Sequence, residues 1–140
     1  MNSLKKAPML LDLGLLLARL AVAPMFLVAG WRKLIGWPPQ GVIALLQREG
    51  LPYPTVLAAG TVALELLAPV LLVIGVLTRW AAAALAIFTL WATWIAHRWW
   101  TFPPAEQALQ SGIALKNIAV AGLLILIALA GSGRFALRRD

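Results

Sequence analysis

The sequence predicts an all-α integral membrane protein: a four-transmembrane-helix bundle with two longer outer loops that carry short interfacial helical turns. Three observations predict it. Of 140 residues, 62% are hydrophobic and 12% charged, against roughly half and a quarter in soluble domains. A chain this short has too little interior to hide so much apolar surface from water. Four apolar segments also approach or exceed the ~20 residues needed to cross the hydrocarbon core. These segments are rich in Leu and Ala and lack period-two alternation, which excludes strands.

The segments run from about Leu10 to Leu34, Val56 to Leu77, Trp80 to Trp100 and Ile113 to Ala130, within a single domain covering residues 1–140. The first one opens like a secretory signal, with Lys5 and Lys6 ahead of an apolar run and Ala21-Val22-Ala23 resembling a cleavage site. Asp12 and Arg19 interrupt that run, and it continues past Ala23, so a membrane span is expected instead. Gly75 to Arg79 reads as a tight turn, making the second and third spans antiparallel neighbours. The two longer loops echo each other. Trp37-Pro38-Pro39 precedes Ala44-Leu45-Leu46-Gln47, and Phe102-Pro103-Pro104 precedes Ala108-Leu109-Gln110. Each reads as an aromatic anchor, a helix break and a short amphipathic turn on the membrane surface.

The formal net charge is +7. The basic residues cap apolar runs rather than forming one patch, which points to lipid head groups and away from nucleic acid. Lys5, Lys6, Arg79, Arg134, Arg138 and Arg139 fall on one side. Arg32, Lys33, Arg48, Arg98 and Lys116 fall on the other. Discounting Lys33 and Lys116 as partly buried puts both termini in the cytoplasm. With no cysteine and a single histidine, His97, thiolate metal sites, iron–sulfur clusters, zinc sites and bis-histidine haem are not expected. Nucleophilic catalysis also lacks a constellation: there is no Ser–His–acid spacing, no phosphate loop and no second carboxylate near Glu65.

Charged side chains within the spans carry the functional information, because each costs at least about 2.5–3.5 kcal/mol at the centre of a helix. Arg19 and Glu65 each lie about nine residues into antiparallel spans, so at ~1.5 Å rise per residue they reach a similar depth. A buried ion pair between them is expected, either as a lock between helices or as the wall of a binding site. A second group gathers towards the outer end: Lys33, His97, Lys116 and Asn117. Arg19, Phe26, Gly30 and Lys33 share one helical face, as do Leu90, Thr93, Trp94 and His97. With those faces inward, a pocket forms. It is closed below by Arg19 and Glu65, walled by Phe26, Trp91 and Trp94, and rimmed by Lys33, His97, Lys116 and Asn117. The alternative for the rim is ordinary: a snorkelling lysine, an interfacial histidine and a polar first helical turn. For the tryptophans it is the aromatic belt.

Several short stretches, in order and at family-like spacing, carry a resemblance. They are Leu16-Leu17-Ala18-Arg19, Gly30-Trp31-Arg32-Lys33-Leu34, Leu51-Pro52-Tyr53-Pro54, Glu65, Gly75-Val76-Leu77-Thr78-Arg79 with Ala81-Ala82, His97 with the aromatic pair after it, Lys116-Asn117, and Gly131-Ser132-Gly133-Arg134. Together they resemble the DoxX family of small bacterial membrane proteins. The chain departs at Ala68-Pro69, where the family pattern has glycine, and at Ala136, where it often has serine. The resemblance implies a four-helix inner-membrane protein. It also implies kinship with membrane subunits of quinone-linked sulfur oxidation or with partners of soluble oxidoreductases.

The leading expectation is therefore a membrane subunit that binds a quinone or similar lipophilic ligand for an oxidoreductase partner. Arg19, Lys33, Glu65, Trp94, His97, Lys116 and Asn117 form the ligand site, and no metal is bound. Quinone carbonyls need donors, which Lys33, His97, Lys116 and Asn117 supply, and His97 exchanges protons near neutral pH. The competing reading is a non-catalytic scaffold or assembly subunit, or a small-molecule or lipid transporter. A transporter of four spans would need to form a homo-oligomer, for which Gly112, Ala114, Ala119, Ala121 and Gly122 offer close-packing surfaces.

Overall fold

The first apolar segment becomes a 34-residue helix, α1 (Asn2–Ile35). At 1.5 Å per residue it is about 50 Å long, well beyond the ~30 Å hydrocarbon thickness. Its end coincides with Gly36 and the Pro38-Pro39 break. The computed structural model describes the backbone of residues 2–139 and the side chains of residues 9–139. The side chains of Lys5 and Lys6, used above for orientation, lie outside that range.

After the break comes the short amphipathic helix expected there, α2 (Gln40–Arg48), which buries Ile43 and Leu46. Next is α3 (Pro54–Ile74), opened by Pro at its first turn, where the missing N–H costs nothing. Gly75 ends it in the left-handed conformation, φ 72°, with its N–H bonded back to the Leu71 carbonyl. A Cβ at Gly75 would also collide with the Arg19 guanidinium and with Ala136. Glycine is thus required there twice over, by conformation and by close approach. The tight turn leads into α4 (Thr78–Ala96). A 3₁₀ turn, Trp99–Thr101, precedes α5 (Pro104–Ala130).

Among the described residues, α1, α3, α4 with its trailing turn, and α5 are long and apolar enough to span a membrane. The second loop departs from expectation. Residues 104–112 are not a separate interfacial turn but the first turns of α5. Pro104 at the first helical position favours helix, and Gly112 alone costs only ~1 kcal/mol inside one.

The helices pair as two hairpin-like couples, α1 with α3 and α4 with α5, joined mainly by α3 against α4. The principal core occupies the half of the bundle near the termini. Leu72, Leu85, Leu124 and Ile127 are fully buried there, packed with Val22, Phe26, Ala68, Ala81, Ala82 and Ala86. Alanines on α4 allow the close approach that membrane helices need. Ala114 and Ala121, expected to face a second copy, are buried inside the bundle instead, whereas Gly112, Ala119 and Gly122 are exposed.

The tail after α5 folds back over this end. Leu137 N–H donates to the Ile74 carbonyl (2.9 Å) and Arg138 N–H to the Gly75 carbonyl (3.2 Å), satisfying acceptors orphaned at the end of α3. The backbone N–H of Arg134 donates to Asp12 Oδ1 (3.0 Å). At the other end, Ile43 and Leu46 of α2 pack on Ala58 of α3, with Val42, Leu51 and Ile95 alongside.

Candidate functional site in the loop half of the bundle

Between the principal core and α2 the helices do not close. A cavity of about 360 Å³ remains. Phe26 belongs to the core and also lines it, and Val42, Leu45 and Leu46 of α2 line its far end. Met25, Phe88, Trp91 and Ile95 contribute apolar wall.

The polar lining is held in place by specific bonds. Lys33, on the last turn of α1, sits over Glu65 of α3, its Nζ 2.7 Å from Oε1 and 2.6 Å from Oε2. Glu65 is buried and Lys33 partly so. The contact depends on Gly30, one turn below Lys33: a Cβ there would come within 2.9 Å of the Glu65 Cβ and 3.0 Å of Leu66 Cγ. Its absence is what lets α1 and α3 approach.

Thr93 and Asn117 tie α4 to α5. Asn117 Nδ2 donates to Thr93 Oγ1 (2.9 Å), which in turn donates to the Thr89 carbonyl (2.7 Å). His97 caps the C-terminus of α4, and its Nδ1 lies 2.7 Å from Gln110 Oε1 on α5. With that amide oxygen accepting, Nδ1 carries the proton and Nε2 is the unprotonated nitrogen of the neutral ring. Lys116 lines the same cavity from α5 and is exposed, not partly buried as expected. Just outside, Arg98 Nη2 contacts both oxygens of Glu49 at 2.7 Å, tying the end of α2 to the segment after α4.

The cavity therefore gathers Lys33, Glu65, His97, Lys116 and Asn117, as the sequence suggested, with Phe26 and Trp91 in its wall. Two expectations are corrected. Arg19 does not pair with Glu65. It is fully buried at the opposite end of the bundle, donating to the Phe135 carbonyl beside Gly75. The face assignment is right, since Arg19, Phe26 and Gly30 are all buried, but the depth is wrong. Gly30 lies against Glu65, so Arg19, eleven residues away, is about 16 Å from that level.

Trp94 is not a cavity wall. It is 62% exposed and its ring lies 6.0 Å from that of Trp100, which in turn sits 4.7 Å from Trp99. The inward stripe of α4 is Thr89, Ala92, Thr93 and Ala96. Of the expected face of Leu90, Thr93, Trp94 and His97, Thr93 is buried and His97 lines the cavity, whereas Leu90 and Trp94 are exposed.

Thr61, Thr89 and the three α2 residues line the cavity without having been singled out as site residues, and Gln110 holds His97 from outside it. The amphipathic pattern of α2 was the available signal for its residues. No spacing marks Gln110 as the partner of His97.

This architecture has known relatives. The DoxX family model matches residues 14–98. The chain belongs to the DoxX family. It is 31% identical over 125 residues to the inner membrane protein YphA of Escherichia coli strain K12, covering 89% of this chain and 88% of YphA. It is 28% identical over 131 residues to the inner membrane protein YqjF of the same organism, covering 91% and 92% of the two chains. No solved structure matches it significantly. The family match stops at residue 98, so it includes Lys33, Glu65 and His97 but not Lys116 or Asn117.

Proposed function

We propose that this DoxX protein is an inner-membrane subunit whose intrabundle cavity binds a quinone or similar lipophilic ring, on behalf of an oxidoreductase partner. The observation that carries the reading is the lining: an apolar and aromatic cavity onto which His97, Asn117, Lys33 and Lys116 converge. Ligand sites of ~300–1,000 Å³ combine apolar walls with a few placed polar groups in this way. A cavity of ~150 Å³ suffices for benzene, so 360 Å³ accommodates a substituted ring.

In this reading Trp91 and Phe88 flank the ring, Asn117 donates to a carbonyl oxygen, and His97 Nε2 accepts from a hydroxyl of the reduced ring. Reduction of a quinone takes up two protons, which reach the ring past His97 at the rim of the cavity. The Lys33–Glu65 pair supplies a fixed polar wall. The electrons come from the partner, because no side chain of this sequence is a redox centre. The reading takes both termini as cytoplasmic, as the Lys and Arg distribution favours, which puts the cavity in the outer half of the bilayer.

The test is titration of purified protein with a short-tailed quinone, followed through tryptophan fluorescence. Saturable quenching is expected, weakened about tenfold in Asn117→Ala through loss of a hydrogen bond to the ligand. Absence of saturable binding, or an affinity unchanged in both His97→Ala and Asn117→Ala, overturns the reading. Co-purification of a partner that survives both substitutions, without quinone binding, selects the scaffold role instead.

A further inference from the structure

The charges around the cavity do not cancel. The sequence holds five acidic residues, and four have identified positions. Asp12 accepts from the backbone of Arg134 at the tail end. Glu49 is engaged by Arg98, with Arg48 at 3.7 Å. Glu65 is engaged by Lys33. Glu106 lies ten residues before Lys116 on α5, about 15 Å along the helix. Asp140 lies outside the described residues.

Lys33 and Glu65 neutralise each other, and His97 is bonded to a neutral amide. Lys116 is left as the excess cation of the cavity, with no ion-pair partner among the described residues. It is also well placed to meet a ligand arriving from lipid. α1 and α5 touch far less than the neighbouring helix pairs do. The cavity lies between their outer halves, with Met25, Ala29 and Lys33 on one side and Ile113, Lys116 and Asn117 on the other. Lys116 is exposed at this seam. An ammonium group beside apolar walls favours an anionic partner.

We propose that the cavity selects a lipid-soluble anion, an acidic quinone or another amphiphilic acid. It enters between α1 and α5 and places its ionised group on Lys116. This rests on the cavity being a ligand site, and it narrows the ligand from any lipophilic ring to one bearing an acidic group.

The experiment uses the full chain in phosphatidylcholine nanodiscs, which carry no net lipid charge to compete. The probes are a 2-hydroxy-3-alkyl-1,4-naphthoquinone, a vinylogous acid ionised at neutral pH, and its neutral 2-methoxy analogue. Trp91→Phe serves as the control that quenching arises in the cavity. The readout is the ratio of the two affinities, compared between wild type and Lys116→Gln so that differences in membrane partitioning cancel.

The ratio is expected to favour the acid by about tenfold or more over its value in Lys116→Gln, with Lys116→Arg close to wild type. A ratio unchanged by Lys116→Gln overturns the proposal and leaves quinone binding standing. If neither naphthoquinone binds, laurate and methyl laurate decide. Laurate binding lost in Lys116→Gln keeps the acid site and removes the quinone; no laurate binding removes both.

Discussion

The two halves of this bundle are made from the same four spanning helices and differ in what lies between them. In the tail half, alanines on α4 let α3, α4 and α5 meet around Leu72, Leu85, Leu124 and Ile127, which are fully buried. The returning tail then ties the ends of α1 and α3 together. In the loop half, the same helices are joined by side-chain bonds, Lys33 to Glu65 and Asn117 to Thr93, and a cavity remains beside those bonds. Lipid offers little hydrophobic drive for helix association, so packing and polar bonds decide how closely helices approach. This molecule uses packing at one end and polar bonds at the other.

The strongest test of that division removes one member of the Lys33–Glu65 pair. Lys33→Met leaves the Glu65 carboxylate buried without its cation, and a loss of about 3–5 kcal/mol is expected. The double change Lys33→Met with Glu65→Met is expected to recover most of that, because it removes both charges. Thermal unfolding in detergent reads both. Equal losses in the single and double variants would mean that packing, not the ion pair, holds the loop half.

The opposite test addresses volume. Leu72→Ala in the closed half is expected to cost about 2–5 kcal/mol while leaving cavity binding intact. Ala92→Leu, which adds bulk to the open half, is expected to leave stability within about 1 kcal/mol of wild type and to abolish quinone quenching. If Ala92→Leu destabilises as much as Leu72→Ala, the loop half is as tightly packed as the core and the comparison fails.

How these halves were legible in the sequence follows the same division. The spans were visible because hydrophobic length is a one-dimensional property. The inward face of α1 was visible too, since Arg19, Phe26, Gly30 and Lys33 repeat at helical spacing. Depth was not visible, because it depends on register between helices. Counting from the first apolar residue put Arg19 level with Glu65. The register is set instead by the close approach that Gly30 permits, which brings Lys33 to Glu65 and Arg19 to Gly75. The basic tail carried no sign that its backbone would bond to Ile74 and Gly75. For α4, the expected face holds at Thr93 and His97 but not at Leu90 and Trp94, because the helix is apolar on both sides of that face and only packing distinguishes them.

Two smaller effects sharpen the boundary between the site and its surroundings. Glu49→Gln breaks the tie from Arg98 to the end of α2. Arg98 is 31% and Glu49 16% exposed, so a modest cost of about 1 kcal/mol or less is expected. Its signature is faster amide exchange in α2, with α3 to α5 unchanged, and a weaker ligand affinity because Val42, Leu45 and Leu46 line the cavity. Unchanged exchange in α2 would show that Ile43 and Leu46 alone hold this helix in place.

The smallest effect is expected at Trp94. Its ring packs on Trp100 at the surface, whereas Trp91, three residues earlier, lines the cavity. Trp94→Phe should therefore leave quinone affinity within about twofold of wild type, a difference of under 1 kcal/mol, while Trp91→Phe removes most of the quenching. The pair of variants separates an aromatic belt from an aromatic wall on one helix. Loss of affinity in Trp94→Phe would return that ring to the site and move the inward stripe of α4 by one residue, taking Thr89 and Ala92 out of the cavity.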